Sequence, residues 1–217
     1  LKDLSTPKKV NIFLSHYHWD HVVGMLNFSP LFDSSFTFNI YGANKKTDIN
    51  ELQNKLLDTA LWPVSKDMLN AKINFINLKK DLIQITDNIN IEHTNHPHPN
   101  GATSYKITID DFSILYTTDC EHTNNHLNKN VTNIAKDVDI LIHDAHFSKK
   151  DLSKHIGWGH SSWKDAVDVA KTSNVKQLIL YHFSPEYSDE VVSNIEIKAQ
   201  KEFTNTIAAK QQMKIEF

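Results

Sequence analysis

Apolar residues along this chain fall into two rhythms, short continuous runs that suit strands and three-to-four spacings that suit helices. The runs predict strands at 10–14, 38–41, 73–78, 89–92, 105–109, 112–117, 140–143, 177–181 and 213–217. Helical spacing covers 49–61, 163–170 and the long polar stretch 190–209. Asp110-Asp111 lies between two strand runs and predicts a tight hairpin. The later half alternates helix and strand, as layered α/β proteins do, so the expected architecture is an open sandwich of sheets covered by helices. Internal repeats, low-complexity tracts and Pro/Gly/Ser linkers are absent from the sequence, which predicts one domain over residues 1–217.

Composition narrows the class. A 217-residue chain that is 40% hydrophobic can bury a substantial core. No stretch approaches the ~20 apolar residues that cross a bilayer, and Leu1-Lys2-Asp3-Leu4 lacks a signal-peptide layout, so the expectation is a soluble cytoplasmic protein with no membrane partner. Cys120 is the single cysteine and excludes an internal disulfide framework. The formal net charge is -3 and every basic residue is lysine. A polyanion is therefore not the favoured partner, and any phosphate must be held by lysine, histidine, metal or backbone amides rather than by arginine forks.

The densest chemistry follows the strand run at 10–14: His16-Tyr17-His18-Trp19-Asp20-His21. Side chains two apart on extended chain point to the same side, so His16 and His18 can converge on one ion. A turn starting near Trp19 would present Asp20 and His21 to a second. A lone histidine is ordinarily a surface or hydrogen-bonded residue, but three histidines and an aspartate in six positions point to coordination, since such groups beside a strand end cost heavily in desolvation unless paired.

This His-x-His-x-Asp-His motif resembles that of the metallo-β-lactamase superfamily, and further segments resemble its ribonuclease Z-like and phosphodiesterase-like branch across nearly the whole chain. His98-Pro99-Asn100-Gly101-Ala102-Thr103-Ser104-Tyr105 is similar to the branch's third motif, with His96 as the alternative ligand two residues earlier. Asp119, in Leu115-Tyr116-Thr117-Thr118-Asp119-Cys120-Glu121, matches a strand-end aspartate able to bridge two ions, and His182 matches the last ligand. The resemblance implies a four-layer αβ/βα sandwich holding two divalent ions. His16, His18, His98 and Asp119 would serve one, and Asp20, His21, Asp119 and His182 the other. Nitrogen and carboxylate donors suit zinc first, with manganese, iron or cobalt as alternatives. Cys120 reads as a small buried hydrophobe, while His93, His122 and His126 carry no matching pattern, the last two being expected at the surface.

Two more stretches resemble ribonuclease Z-like proteins: His143-Asp144-Ala145-His146-Phe147 and Gly157-Trp158-Gly159-His160-Ser161-Ser162-Trp163. The resemblance implies that Asp144 orients His160, which meets the phosphate near the leaving group, and that Asp20 joins them in the catalytic set. An imidazole with a carboxylate partner is a chemically sensible proton donor at neutral pH. Ser162 with Asp165 also forms a capping-box pattern, so part of this segment is helix initiation. Trp19 and Trp158 stay unassigned between pocket lining and packing.

The branch usually carries further strands ahead of its first motif, whereas fifteen residues precede His16 here, which predicts that the first N-terminal strands are lacking and that a sheet edge needs completion, by missing chain or by a partner such as a second copy. The expected activity is metal-dependent hydrolysis of a small phosphodiester such as a cyclic nucleotide. Transfer RNA is less favoured, because the related ribonucleases insert an arm between third-motif histidine and bridging aspartate, where this chain has room for little more than a hairpin. β-Lactam or thioester hydrolysis, or a non-catalytic metal-binding role, are the remaining alternatives.

Overall fold

The structure is a computed structural model and describes residues 8–44, 46, 48–123 and 126–216. The chain forms two compact units, Leu1–Lys80 and Asp81–Phe217.

In the first unit, β1 (Lys8–Leu14), β2 (Phe36–Gly42) and β3 (Lys72–Asn77) form an all-parallel sheet in that order. The central strand buries Phe36, Phe38 and Ile40 on one face, while Thr37, Asn39 and Tyr41 alternate with them on the other. Register is marked by an asparagine ladder. Asn11, Asn39 and Asn74 lie opposite one another on the three strands. The Asn39 amide donates to Asn11 Oδ1 at 2.9 Å, and the Asn74 amide donates to Asn39 Oδ1 at 2.9 Å. This chain of amides satisfies a buried polar side chain in the middle of the sheet. A short helix α1 (Trp19–Val22) follows β1, and α2 (Ile49–Leu56) buries Ile49, Leu52 and Leu56 behind an Asp48 N-cap. The helix expected over 49–61 stops at Leu56 because Asp58 captures the next turn: its carboxylate accepts from Ala60 N, and its carbonyl accepts from Leu61 and Trp62 N.

The second unit is built on a seven-stranded sheet of order β10-β9-β8-β7-β6-β5-β4. Its strands are β4 (Leu82–Thr86), β5 (Ile89–His96), β6 (Ala102–Ile109), β7 (Phe112–Thr117), β8 (Ile140–Asp144), β9 (Gln177–Tyr181) and β10 (Thr206–Ala208). β4 to β7 form an antiparallel meander, closed between β6 and β7 by the expected two-residue turn, with Asp110 at φ 52°. From β7 onward the pairing is parallel, with α3 (Lys129–Ile134), α4 (Lys149–Leu152), α5 (Trp163–Thr172) and α6 (Asp189–Glu202) in the connections. Val131 of α3, Val167 and Val169 of α5, and Ile195 and Ala199 of α6 share one buried cluster with Leu115, Leu141 and Leu178 of the strands.

Two sequence expectations fail at the C-terminal end. The helix expected to reach residue 209 stops at Glu202, where Phe203 turns extended. Thr206–Ala208 then joins β9 as an edge strand, its backbone pairing outweighing helical spacing in a β-branched stretch. The strand expected at 213–217 is irregular over 213–216, and residue 217 lies outside the described residues. β4 was not expected; its alternating exposure is that of an edge strand with one face in solvent.

Ser162 caps α5. Its hydroxyl accepts from Asp165 N while the Asp165 carboxylate accepts from Ser162 N, closing the capping box. Ser162→Ala should lower the unfolding free energy by ~0.5–2 kcal/mol. Urea denaturation checks this, and an unchanged midpoint would show that the box contributes nothing to the helix.

Candidate metal centre

Each unit carries its own cluster of metal-binding residue types. In the first, Leu14 ends β1 inside the core, and the chain emerges through Ser15 to His16, which is 1% exposed. The His16 ring meets His18 edge-on with centroids 4.6 Å apart and tilts against His21 at 4.2 Å. The turn near Trp19 is the first turn of α1, which sets Asp20 and His21 side by side with His21 Nε2 3.2 Å from Asp20 Oδ2. This unit therefore gathers His16, His18, Asp20 and His21 from one strand end and one helical turn.

In the second unit the donors come from distant stretches and meet at the carboxyl ends of parallel strands, where α/β sheets place their sites. Asp119 follows β7 and His182 follows β9, and both adopt left-handed backbone, at φ 53° and 61°. Non-glycine residues rarely sit there. Asp119 Oδ1 lies 3.8 Å from His98 Nε2, and Asp119 Oδ2 lies 3.6 Å from His182 Nε2, so each carboxylate oxygen faces a different imidazole. Of the third-motif histidine and its alternative, His98 is the one whose Nε2 lies 3.8 Å from Asp119. The His98 Nδ1–H donates to the Gly159 carbonyl at 2.9 Å, which leaves the ring's lone pair on Nε2. Gly159 sits at φ 87°, and a Cβ there would overlap the His98 ring. His96 is buried at the end of β5, and burial pushes its pKa down to about 4.

Asp144, fully buried at the end of β8, ties these pieces together. Its Oδ2 accepts from His160 Nδ1 at 2.9 Å and from Asp119 N at 3.1 Å, while Oδ1 accepts from Ser161 N at 2.9 Å and His146 N at 3.1 Å. His160 therefore carries a hydrogen on Nδ1, directed at Asp144. Its ring stacks on His146 at 4.1 Å and on His182 at 5.3 Å. His146 donates from Nδ1 to the His182 carbonyl at 2.9 Å, and burial, ahead of the neighbouring His160, lowers its pKa. Sequence reasoning gave His146 no role; its signal was its place two residues after Asp144.

Two expectations on the loop after Asp119 are resolved. Cys120 is fully buried, and burial raises its thiol pKa well above the ordinary value, in keeping with a small hydrophobe. His122 was expected in solvent, but only His126 is exposed. His122 instead stacks on buried His143 at 5.3 Å in a fixed chain of neutral rings. Asn128 N donates to His122 Nδ1 at 3.0 Å, so His122 Nε2 carries the proton and faces His143 Nε2 at 3.3 Å, and His143 Nδ1 donates to the Asp144 carbonyl at 2.7 Å. Trp19 and Trp158 are more than half exposed.

Comparison with known proteins matches residues 2–183 to the beta-lactamase superfamily domain. The chain belongs to that superfamily, and in class it is a hydrolase with the metallo-β-lactamase fold. The ribonuclease Z of Archaeoglobus fulgidus is 42% identical over 103 residues, which is 48% of this chain and 32% of that protein, so the match spans about a third of the relative's length. The ribonuclease Z of Thermoplasma volcanium is 26% identical over 95% of this chain and 79% of its own. Among solved structures, human tRNase Z, short form, superposes with a TM-score of 0.68 at 17% identity, covering 97% of this chain and 80% of its own. A diphosphatase of the PhnP family gives 0.68 at 18% identity, over 97% and 72%. At these identities the structural likenesses show the fold alone.

The superfamily implies divalent metal, and the second unit's donors fit one. Separations of 3.6 and 3.8 Å between carboxylate oxygen and imidazole nitrogen are too long for hydrogen bonds. They are close to the roughly 3.0–3.6 Å expected of two donors each about 2.1 Å from a shared ion.

The neutral His122–His143 pair makes stability depend on pH. Burial lowers the His122 pKa to about 3 in the folded chain, against about 6.5 when unfolded. Between those values the unfolded chain binds the extra proton, so this contribution to stability is complete above pH 6.5 and is lost as pH falls toward 3. His122→Asn should flatten the loss of stability between pH 6 and 4 by up to about 1.4 kcal/mol per pH unit. Urea titrations of both proteins decide it, and parallel pH profiles would show that His122 is protonated in the fold.

Proposed function

We propose that this chain is a metal-dependent phosphodiesterase that hydrolyses a small phosphodiester such as a cyclic nucleotide, through two divalent ions, zinc first, with manganese, iron or cobalt as alternatives. The proposed ligands are His16, His18, Asp20, His21, His98, Asp119 and His182, with Asp20, Asp144 and His160 as the catalytic set. Bound ions would supply Lewis acidity, neutralising charge on phosphate oxygens and lowering the pKa of water to about 7. The chain's own residues supply the rest. Asp144 accepts from His160 Nδ1 at 2.9 Å and His160 Nδ1 lies 3.9 Å from Asp119 Oδ1, so His160 is oriented beside the proposed metal-binding carboxylate, where in its protonated form it would donate to the leaving oxygen. That pairing is the observation that carries the reading. Asp119, held by its own backbone N–H to Asp144 and by Thr118 Oγ1 at 2.6 Å, would keep one oxygen for each ion.

The curated relatives are named ribonuclease Z, which favours RNA as the second reading. Against it, residues 98–119 contain one turn and the β6–β7 hairpin, the chain has no arginine and its net charge is -3. Catalysis by a single domain in the cytoplasm completes the proposal.

His160→Ala should keep the metal content and lose about 10²- to 10⁴-fold in rate on a diester with a poor leaving group. The loss should shrink with a nitrophenolate leaving group, which needs no proton. Equal losses with both substrates would reassign His160 to substrate positioning.

Substrate class is tested by kcat/KM for cyclic and linear dinucleotides, a cyclic mononucleotide and a precursor transfer RNA at two salt concentrations. The small diesters should be cleaved efficiently with a shallow salt dependence. A polyanion held by many lysines would instead lose affinity roughly as the 0.7 to 0.9 power of salt per phosphate contacted. Efficient, salt-sensitive cleavage of the transfer RNA with negligible turnover of the small diesters would overturn the phosphodiesterase reading.

A further inference from the structure

Glu121 lies two residues beyond Asp119 and is 7% exposed. No sequence motif assigned it a role. Burying a carboxylate is costly unless its oxygens are hydrogen-bonded, and here both are: Oε1 accepts from Gly157 N at 2.7 Å and Oε2 from Gly159 N at 2.8 Å. The two amides belong to the loop that leads into His160. The Gly159 carbonyl on that loop accepts from His98 Nδ1 at 2.9 Å, and the backbone N–H of Glu121 itself donates to the Pro97 carbonyl at 3.0 Å. The hydrogen bonds therefore close a ring, from Glu121 to Gly159, from Gly159 to His98, and from Pro97 back to Glu121.

We infer that Glu121 is a positioning residue which, by clamping Gly157 and Gly159, fixes the tautomer and direction of His98 and the approach of His160. A carbonyl can only accept, so the Gly159 oxygen obliges His98 to carry its proton on Nδ1 and its lone pair on Nε2, the nitrogen facing Asp119. The carbonyl can do this only while the loop is held, and the loop is glycine-rich, with Gly157 and Gly159 at φ 88° and 87°. Glycine backbone has no side-chain packing to hold it and loses more freedom on ordering than other residues. The carboxylate replaces that missing restraint. Its hydrogen bonds are charge-assisted, the stronger kind. Further along the loop, Ser161 Oγ donates to the Cys120 carbonyl and Ser161 N to Asp144, so the segment is pinned at both ends around His160.

The kinetic part of this inference rests on the proposed metal-dependent hydrolysis; the structural part does not. The test uses Glu121→Ala, which removes both acceptors, and Glu121→Gln, nearly isosteric, which keeps one acceptor and turns an amide N–H₂ toward the other glycine N–H. Hydrogen exchange at the Gly157 and Gly159 amides should speed up roughly ten- to hundred-fold in the alanine variant, with one of the two amides affected in the glutamine variant. In long-range ¹H–¹⁵N spectra the His98 signal should change from a single Nδ1–H tautomer to a mixture, while the Asp144-bound His160 keeps its pattern. Zinc affinity, by titration of the metal-free protein, should fall about 10- to 100-fold, and kcat on a small diester should drop with KM nearly unchanged. A single unchanged His98 tautomer and wild-type glycine exchange in both folded variants would overturn the inference. Loss of the tautomer in a chain that hydrolyses no phosphodiester would uphold Glu121's role and remove the proposed activity instead.

Discussion

The second unit's cluster depends on one buried charge. Asp144 is inaccessible to solvent and accepts hydrogen bonds from Asp119 N, His146 N, Ser161 N and His160 Nδ1. A carboxylate taken out of water costs several kcal/mol unless its lone pairs are met, and four donors meet them here. The donors come from three separate stretches of chain, the turn after β7, the turn after β8 and the loop before α5. Solvating this one group thus requires all three to converge. β8 lies between β7 and β9 in the sheet, so its carboxyl end is where such convergence is geometrically cheapest.

The same carboxylate explains how strained backbone persists beside it. Asp119 in left-handed conformation costs on the order of 1–2 kcal/mol relative to ordinary backbone. Its amide bond to Asp144 Oδ2 is charge-assisted and of comparable strength, so strain and hydrogen bond offset each other. The reversal matters because a strand continuing straight would carry the Asp119 side chain away from His98 and His182. Positive φ turns it across the strand ends, where each oxygen faces one imidazole.

What the sequence made legible follows from how local the cause is. β7 and β9 were read to the residue, because an apolar run between polar neighbours is a local property. The motif from His16 to His21 was legible for the same reason: a strand end and one helical turn place its side chains. The left-handed turns at Asp119 and His182 carried no local signal, since no glycine marks them. Helical spacing misled at 203–209, where Thr206–Ala208 pairs with β9 and the sheet decides the outcome. His122 looked solvent-exposed because its partners, His143 and the Asn128 amide, lie 21 and six residues away. Glu121 was passed over because its partners are backbone amides, which leave no side-chain pattern to read.

The two clusters differ in locality in the same way. The donors His16, His18, Asp20 and His21 span six residues, so a short strand end and helical turn suffice to gather them. Asp119, His98 and His182 are brought together only when β5, β7 and β9 occupy one sheet and Asp144 has drawn in its four donors. An ion that binds such preassembled donors and not the unfolded chain stabilises whatever assembles them. Were the proposed ligands His98, Asp119 and His182 to hold an ion, the free energy of its binding would also favour assembly of the sheet that brings them together.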